Sequence, residues 1–302
     1  MVHVADVSTP TPGPRDVLIR VHAAAVTSVD GRIRAANFPH GFAMLGRLAF
    51  GVRRPRRKVL GGAFSGVVES VGTKVEGFAV GDAVGGMNSV KMGAHAEYVA
   101  APVAKTTPLP AGVSHEDAAA ILFGGSTALH FLRTRASLQA GQSVLVNGAS
   151  GAVGTAAVQL VKHLGAIVTG VTSTPNIVLV TELGADHVID YTVTPLSGIT
   201  EKYDVVFDTV GNVDIPTGRR LLTDNGVLLL AVADLRQTIG ARGNVKAGPA
   251  SEKAQVFAEV LGLLASGDLK AVIDQAAPLD DIVALHTRVD SGRKVGNLVV
   301  TP

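Results

Sequence analysis

The stretch "VLVNGASGAVGTAAVQLVKHLGAIVTGV", Val144–Val171, decides the fold. An apolar run leads into a loop holding Gly148, Gly151 and Gly154. A helix-like stretch of Ala, Val, Leu and Lys follows, then a second β-branched run. The spacing is Gly-x-x-Gly-x-x-Gly, with Ser150 in the middle, and is looser than Gly-x-Gly-x-x-Gly. Its setting strengthens it: strand, glycine loop, helix and second strand fit within about 30 residues, as a βαβ unit requires. The chemistry needs backbone without side chains, so that a pyrophosphate can reach N–H groups at a helix N-terminus. Ser150, Gly151, Ala152, Val153 and Gly154 are the contacts this predicts. The competing reading is a glycine turn that only packs helix on strand.

Outward from this unit the alternation continues. Strands are expected at 143–147, 167–171, 187–190, 204–208 and 227–232, with helices between them at 154–164 and 176–183. Short buried strands alternating with helices give a parallel sheet with right-handed crossovers. Upstream the texture is β-rich: "DVLIRVHAAAV" (16–26), "FSGVVESVG" (64–72), "VEGFAVGDAVGG" (75–86) and "GAHAEYVAAP" (93–102) read as strands separated by Gly and Pro turns. Ser114, with Asp117 three residues on, starts an Ala-rich helix. A last helix, 251–265, precedes a closing strand.

Composition removes several function classes. The chain has 302 residues, 47% hydrophobic and 17% charged, enough to bury a sizeable core. A formal net charge of +2 implies no global attraction to nucleic acid or membrane. Cysteine is absent, which excludes disulfides, thiol catalysis and thiolate metal sites. The N-terminal stretch has no signal-peptide pattern and no apolar run is long enough to span a bilayer, so a cytoplasmic location is expected.

The end of the second strand bears on the coenzyme. A site for NAD places Asp or Glu there to hold the ribose 2′-hydroxyl. Here the residues are Thr172, Ser173, Thr174, Pro175 and Asn176, followed by no carboxylate until Glu182. Hydroxyls and an amide at Ser173, Thr174 and Asn176 can donate to a 2′-phosphate, which points to NADPH with NADH as the alternative. A turn capped by small polar residues fits the same letters.

The motifs "GVVESVGTKVEGFAVGDAV", "AAAILFGGSTALHFL", "VNGASGAVGTAAVQLVKHLGA", "ELGADHVIDYT", "YDVVFDTVGN" and "GRKVGNLVV", in this order, cover nearly the whole chain. Together they resemble the medium-chain dehydrogenase/reductase superfamily, in its zinc-free quinone oxidoreductase-like branch. The resemblance implies an α/β fold: a GroES-like β-barrel catalytic domain at 1–115 and 260–302, and a Rossmann doubly wound parallel-sheet domain at 116–259. It also implies cofactor contacts at Thr127, Tyr191, Val210, Gly211, Val232 and Asn297. For Ser126 and Thr127, helix N-capping is the alternative reading.

Where zinc-dependent members of the superfamily hold their metal, this chain has Thr27 and Gly62, so no metal is expected. His95, His163 and His187 read as surface or packing residues. Thr27 is placed to polarise a substrate oxygen, with Asp30 as a structural anchor paired with Arg32 or Arg34. Phe38 stands where some quinone reductases have a tyrosine, so it lines the substrate site without supplying a proton. No catalytic residue is assigned, and the proton comes from solvent.

The activity this implies is NADPH-dependent, zinc-independent hydride transfer to a small-molecule quinone or conjugated enone. The alternatives are an NAD(P)-dependent alcohol dehydrogenase or enoyl reductase, and a non-catalytic NADPH-binding sensor or interaction protein. The basic run Arg53, Arg54, Arg56, Arg57 and Lys58 reads as a solvated loop rather than a nucleic-acid patch. A homodimer is expected, because relatives pair sheet edges near the apolar strand "GVLLLAV".

Overall fold

The computed structural model describes residues 2–51 and 57–302, with the backbone alone at 45, 49 and 50. Arg53, Arg54 and Arg56 of the basic run lie outside the described residues, while Arg57 and Lys58 are exposed. In chain order the strands are β1 (Asp16–Val26), β2 (Ala63–Val71), β3 (Ala83–Met87), β4 (Tyr98–Pro102), β5 (Thr106–Pro108), β6 (Ser143–Asn147), β7 (Ile167–Thr172), β8 (His187–Asp190), β9 (Tyr203–Asp208), β10 (Leu222–Leu230), β11 (Val245–Ala247), β12 (Ile273–Pro278) and β13 (Asn297–Thr301). The α-helices are α1 (Ser28–Ala35), α2 (Ala43–Phe50), α3 (His115–Leu129), α4 (Ala152–His163), α5 (Ile177–Glu182), α6 (Ile215–Arg220), α7 (Leu235–Gly240), α8 (Ala254–Ser266) and α9 (Ile282–Asp290). Among the described residues, no helix is long and apolar enough to cross a membrane.

The chain forms two compact units. One holds Met1–Phe38, Leu45–Ser126 and Glu252–Pro302; the other holds Pro39–Met44 and Thr127–Ser251.

The first unit is the GroES-like one, built on a seven-stranded sheet in the order β12-β13-β1-β2-β3-β5, with β4 also pairing β1. β1 organises it. Its first half pairs β4 (Ile19 opposite Val99), its last residues pair β13 (Ala25 opposite Val299), and β2 runs along the other side. Register shifts at Leu18/Ile19 and Val21/Ala23 mark irregularities in the β1–β2 ladder, the kind of bulge that bends a strand and increases its twist. Val17, Ile19, Val21, Phe64, Val84, Leu285 and Leu298 fill the core beneath. Two sequence-based expectations are corrected here. In 75–86 only Ala83 onward is strand, because Val75 and Phe78 pack onto the core from a turn. In 93–102 the strand begins only at Tyr98. Ser114 does open α3 as expected, accepting from Asp117 N–H at 3.0 Å.

The second unit is the Rossmann-like one, a six-stranded parallel sheet in the order β11-β10-β9-β6-β7-β8. From β6 the chain moves outward through β7 and β8, then returns to the other side of β6 for β9, β10 and β11. The topological switch point therefore lies between β6 and β9, where α/β sheets open a ligand crevice beyond the strands' carboxyl ends. α4 packs through Ala156, Ala157, Val158, Leu160 and Val161, all without exposed surface. Burying Leu160 or Val161 contributes about 1.5–3 kcal/mol each. The apolar strand β10 is not itself an edge; it pairs β9 on one side and the short β11 on the other.

Candidate functional site

At the end of β6 the chain turns through Gly148, whose φ of +82° favours glycine. Gly154 is fixed by close approach: a Cβ there would lie 2.0 Å from the Gly148 carbonyl oxygen. At Gly151 an added Cβ would meet only that same oxygen, at 3.4 Å, so bareness there serves something other than packing. Gly151 is also the N-cap of α4 and supplies no side-chain cap. A helix's first N–H groups lack intrahelical partners, so those of Ala152, Val153 and Gly154 are open to solvent or a ligand. Anions are held in such places by N–H donation and the helix dipole. The pyrophosphate of a dinucleotide fits this donor set.

Beside the loop, three expected contact residues are joined by hydrogen bonds. Ser150 Oγ accepts from Thr172 Oγ1 at 2.9 Å and from Asn176 Nδ2 at 3.2 Å. The same Asn176 amide donates to Ser173 Oγ at 3.2 Å. Both serine oxygens are engaged as acceptors, which leaves their hydroxyl protons to donate outward. Thr174 does not join this group; its hydroxyl goes to Asp190 Oδ2 at 2.5 Å. Tyr191 follows on the rim, about half exposed.

Val210, Gly211 and Val232 cluster beyond the ends of β9 and β10. A Cβ on Gly148 would touch Val210, and one on Gly211, whose φ is +92°, would meet Val232 Cγ1 at 2.7 Å. Residues that sequence reasoning missed hold this group in place. Asp208, fully buried at the end of β9, accepts from Asn147 Nδ2 at 2.8 Å and from the N–H groups of Val210, Gly211 and Val213 at 3.0–3.1 Å. Asn147 also donates to Asn212 Oδ1 at 2.7 Å. The available signal was a carboxylate closing the otherwise apolar run "VVFD".

Thr127 and its neighbour Ser126 lie inside α3, so the N-capping reading is corrected; Ser126 Oγ donates back to Leu122 O at 2.5 Å. Thr127 itself is buried.

The remaining expected residues belong to the barrel unit. Thr27 is the N-cap of α1: its Oγ1 accepts from Asp30 N–H at 3.4 Å and donates to Asp30 Oδ2 at 2.6 Å. Its hydroxyl proton is therefore committed to Asp30, which corrects the expectation that it polarises a substrate oxygen. Asp30 pairs with neither Arg32 nor Arg34. Its carboxylate holds Thr27 N–H at 2.7 Å and Gly61 N–H at 2.9 Å, while Arg34 reaches Asp290 at 2.5 Å. Phe38 is half-buried against Ile33, Leu60 and Met92, with its ring packed over Gly46. Asn297 is buried, and its side-chain amide donates to Val272 O at 3.1 Å. His95 is a packing histidine, bonded through Nε2 to the Ala25 carbonyl at 3.0 Å.

A zinc site does not fit these residues. Gly62 offers no ligand, the Thr27 and Asp30 oxygens are engaged with one another and with Gly61, and the chain has no cysteine. Among the described residues, no three His, Asp or Glu side chains converge to hold a metal ion.

A bare phosphate cradle at the switch point of a parallel sheet defines a dinucleotide-binding α/β protein. Comparison with known proteins extends this to the whole chain. Residues 13–111 match the model of the alcohol dehydrogenase GroES-like domain, and residues 183–300 that of a zinc-binding dehydrogenase. A quinone oxidoreductase from Pseudomonas aeruginosa is 30% identical, covering 96% of this chain and 92% of that protein. A 2-methylene-furan-3-one reductase from Solanum lycopersicum is 29% identical, covering 99% of this chain and 74% of its own length. The structure of the quinone oxidoreductase from Coxiella burnetii superposes with a TM-score of 0.87 at 26% identity, covering 99% and 94% of the two chains. A mycobacterial protein solved as a complex with NADPH gives 0.79 at 27% identity, covering 99% and 95%. The chain belongs to the medium-chain dehydrogenase/reductase superfamily, an oxidoreductase superfamily, and is quinone-oxidoreductase-like.

Proposed function

We propose that the protein is an NADPH-dependent reductase that delivers hydride to quinones or conjugated enones without a metal ion. The observation that carries this is the cradle at Gly148–Gly154 with Ser150, Ser173 and Asn176 gathered beside it. Bound there, the reduced nicotinamide would supply the hydride. The N–H groups at the start of α4 hold the pyrophosphate, and the hydroxyls of Ser150 and Ser173, oriented by the Asn176 amide, donate at the 2′-phosphate. Asp208 and Asn147 fix the Val210–Gly211 turn that lines the nicotinamide side. The donor set around Thr27 and Gly62 suits no Lewis acid, so no substrate oxygen is activated by metal. No side chain of the described residues is assigned as proton donor, and solvent supplies the proton.

Three features of the relatives support the reading: two quinone oxidoreductases, a 2-methylene-furan-3-one reductase, and a structural neighbour complexed with NADPH. Steady-state NADPH oxidation with a panel of small quinones and enones tests it. Turnover on at least one acceptor is expected; tight NADPH binding with no turnover on any of them would point to a sensor instead. For assembly we propose a homodimer in the cytoplasm, paired through the β11 edge, and sedimentation at micromolar concentration checks the mass.

A further inference from the structure

In a site for the unphosphorylated coenzyme, a carboxylate at the end of the second strand accepts from the ribose 2′-hydroxyl. That position here is Thr172. A carboxylate reaches the same place from the next strand. β7 and β8 pair in parallel with Thr172 opposite Asp190, and Tyr191 N–H donates to the Thr172 carbonyl at 3.0 Å. β8 therefore ends level with β7, and Asp190 lies beside the loop that carries Ser173, Thr174 and Asn176.

Asp190 is held firmly. Its Oδ2 accepts from Thr174 Oγ1 at 2.5 Å, and its Oδ1 accepts from Thr192 N–H at 2.9 Å and Thr192 Oγ1 at 2.7 Å. The bonds from Thr174 and Thr192 keep its carboxyl below the usual range, so it is ionised at any ordinary assay pH. They also withdraw the Thr174 hydroxyl from the donors available to a phosphate. The Thr174 N–H also donates to the carboxylate, so a ribose 2′-hydroxyl would bond to it by sharing or displacing one of these donors. The loop 172–176 itself contains no Lys or Arg to screen a phosphate from this charge.

We propose that Asp190 sets the coenzyme preference of this site, admitting NADH through its ribose 2′-hydroxyl and weakening NADPH by repelling the 2′-phosphate. This rests on the nucleotide reading given above. The Ser150 and Ser173 hydroxyls, held by Asn176, pull toward NADPH while Asp190 pulls against it, and the pocket accepts both coenzymes. If Asp190 served only to anchor the loop, its charge would not matter, because an amide in its place keeps an acceptor for Thr174.

The test is calorimetric titration of the full chain with NADPH, NADH, adenosine 2′,5′-bisphosphate and 5′-AMP, for the wild type, Asp190→Asn and Asp190→Ser. Removing one charge near the phosphate should tighten NADPH and the bisphosphate by about fivefold. NADH and 5′-AMP should bind more weakly, most clearly in Asp190→Ser, and the NADPH gain should shrink as salt is raised. A circular dichroism spectrum and melting temperature matching the wild type show that a variant is folded. A preference ratio identical in wild type and both variants overturns the proposal while leaving the nucleotide site intact. A wild-type chain that binds none of the four ligands overturns the nucleotide reading and this inference together.

Discussion

Asn147 and Asp208 close two neighbouring parallel strands and meet there, amide to carboxylate, at 2.8 Å. The contact sits at the switch point of the sheet. The buried carboxylate has no cation against it in this network; backbone N–H groups and one amide satisfy it. Asp208→Asn would turn an NH2 group toward N–H donors and leave at least one of them unpaired. The expected cost is about 2–4 kcal/mol of stability, with weaker coenzyme binding because the Val210–Gly211 turn loosens. Urea unfolding and coenzyme titration read the two effects, and an unchanged unfolding midpoint would remove Asp208 from its assigned role.

Gly151 and Gly154 separate packing from binding. Gly154→Ala places a methyl 2.0 Å from the Gly148 carbonyl, so both stability and nucleotide affinity should fall. At Gly151 the nearest atom stands at ordinary contact distance. Gly151→Val should therefore leave the melting temperature within a few degrees of wild type and weaken NADPH at least tenfold, about 1.4 kcal/mol. Equal binding by the Gly151 variant would mean the phosphates lie elsewhere.

These glycines were legible in the sequence because their requirement is local: strand, loop and helix follow one another along the chain. Ser150 was legible as part of that loop, and Ser173 and Asn176 as the polar turn after the second strand; the structure joins the three by hydrogen bonds. Asp208 and Asp190 were not. The Asn147 partner of Asp208 comes from the neighbouring strand and the Thr174 partner of Asp190 from the turn after β7. Only the strand register, Asn147 opposite Asp208 and Thr172 opposite Asp190, brings each pair together. The turn at Val75–Asp82 was overread as strand because Val75 and Phe78 are apolar, yet both serve as plugs in the barrel core. In the same way Thr27 looked like a substrate donor until α1 claimed its hydroxyl.

Thr27→Val tests that claim. It removes one N-cap and should cost about 1 kcal/mol, while turnover per folded enzyme stays within roughly twofold. Asp30→Ala should cost more, about 2–3 kcal/mol, because it strands the N–H groups of Thr27 and Gly61 as well. A hundredfold loss of kcat in Thr27→Val with stability preserved would restore the hydroxyl to the chemistry.

Metal removal should change nothing. The Thr27, Asp30 and Gly62 region lacks a zinc donor set, so prolonged dialysis against a strong chelator should leave kcat and melting temperature at their starting values. Adding zinc afterwards should not raise the rate. Loss of activity on chelation, restored by stoichiometric zinc, would refute metal-free hydride transfer.

His286 gives the fold a predictable response to acid. Neither ring nitrogen has a hydrogen-bond partner in the buried interior, and the ring of His95 lies edge-on at 5.8 Å. Burial first, then His95 and Arg34, hold its pKa down to about 4, against a smaller opposing influence from Asp30 and Asp290. The unfolded chain takes up this proton near pH 6.5. Between that pH and about 4 the unfolded state binds more protons than the folded one, so acid favours unfolding. The stability is complete above about pH 6.5 and is lost progressively as pH falls toward 4, by up to roughly 3 kcal/mol. Urea midpoints at pH 7.5 and 4.5 should therefore diverge more in the wild type than in His286→Leu, which cannot titrate. Equal divergence in the two proteins would show that His286 is protonated, or solvated, in the native state.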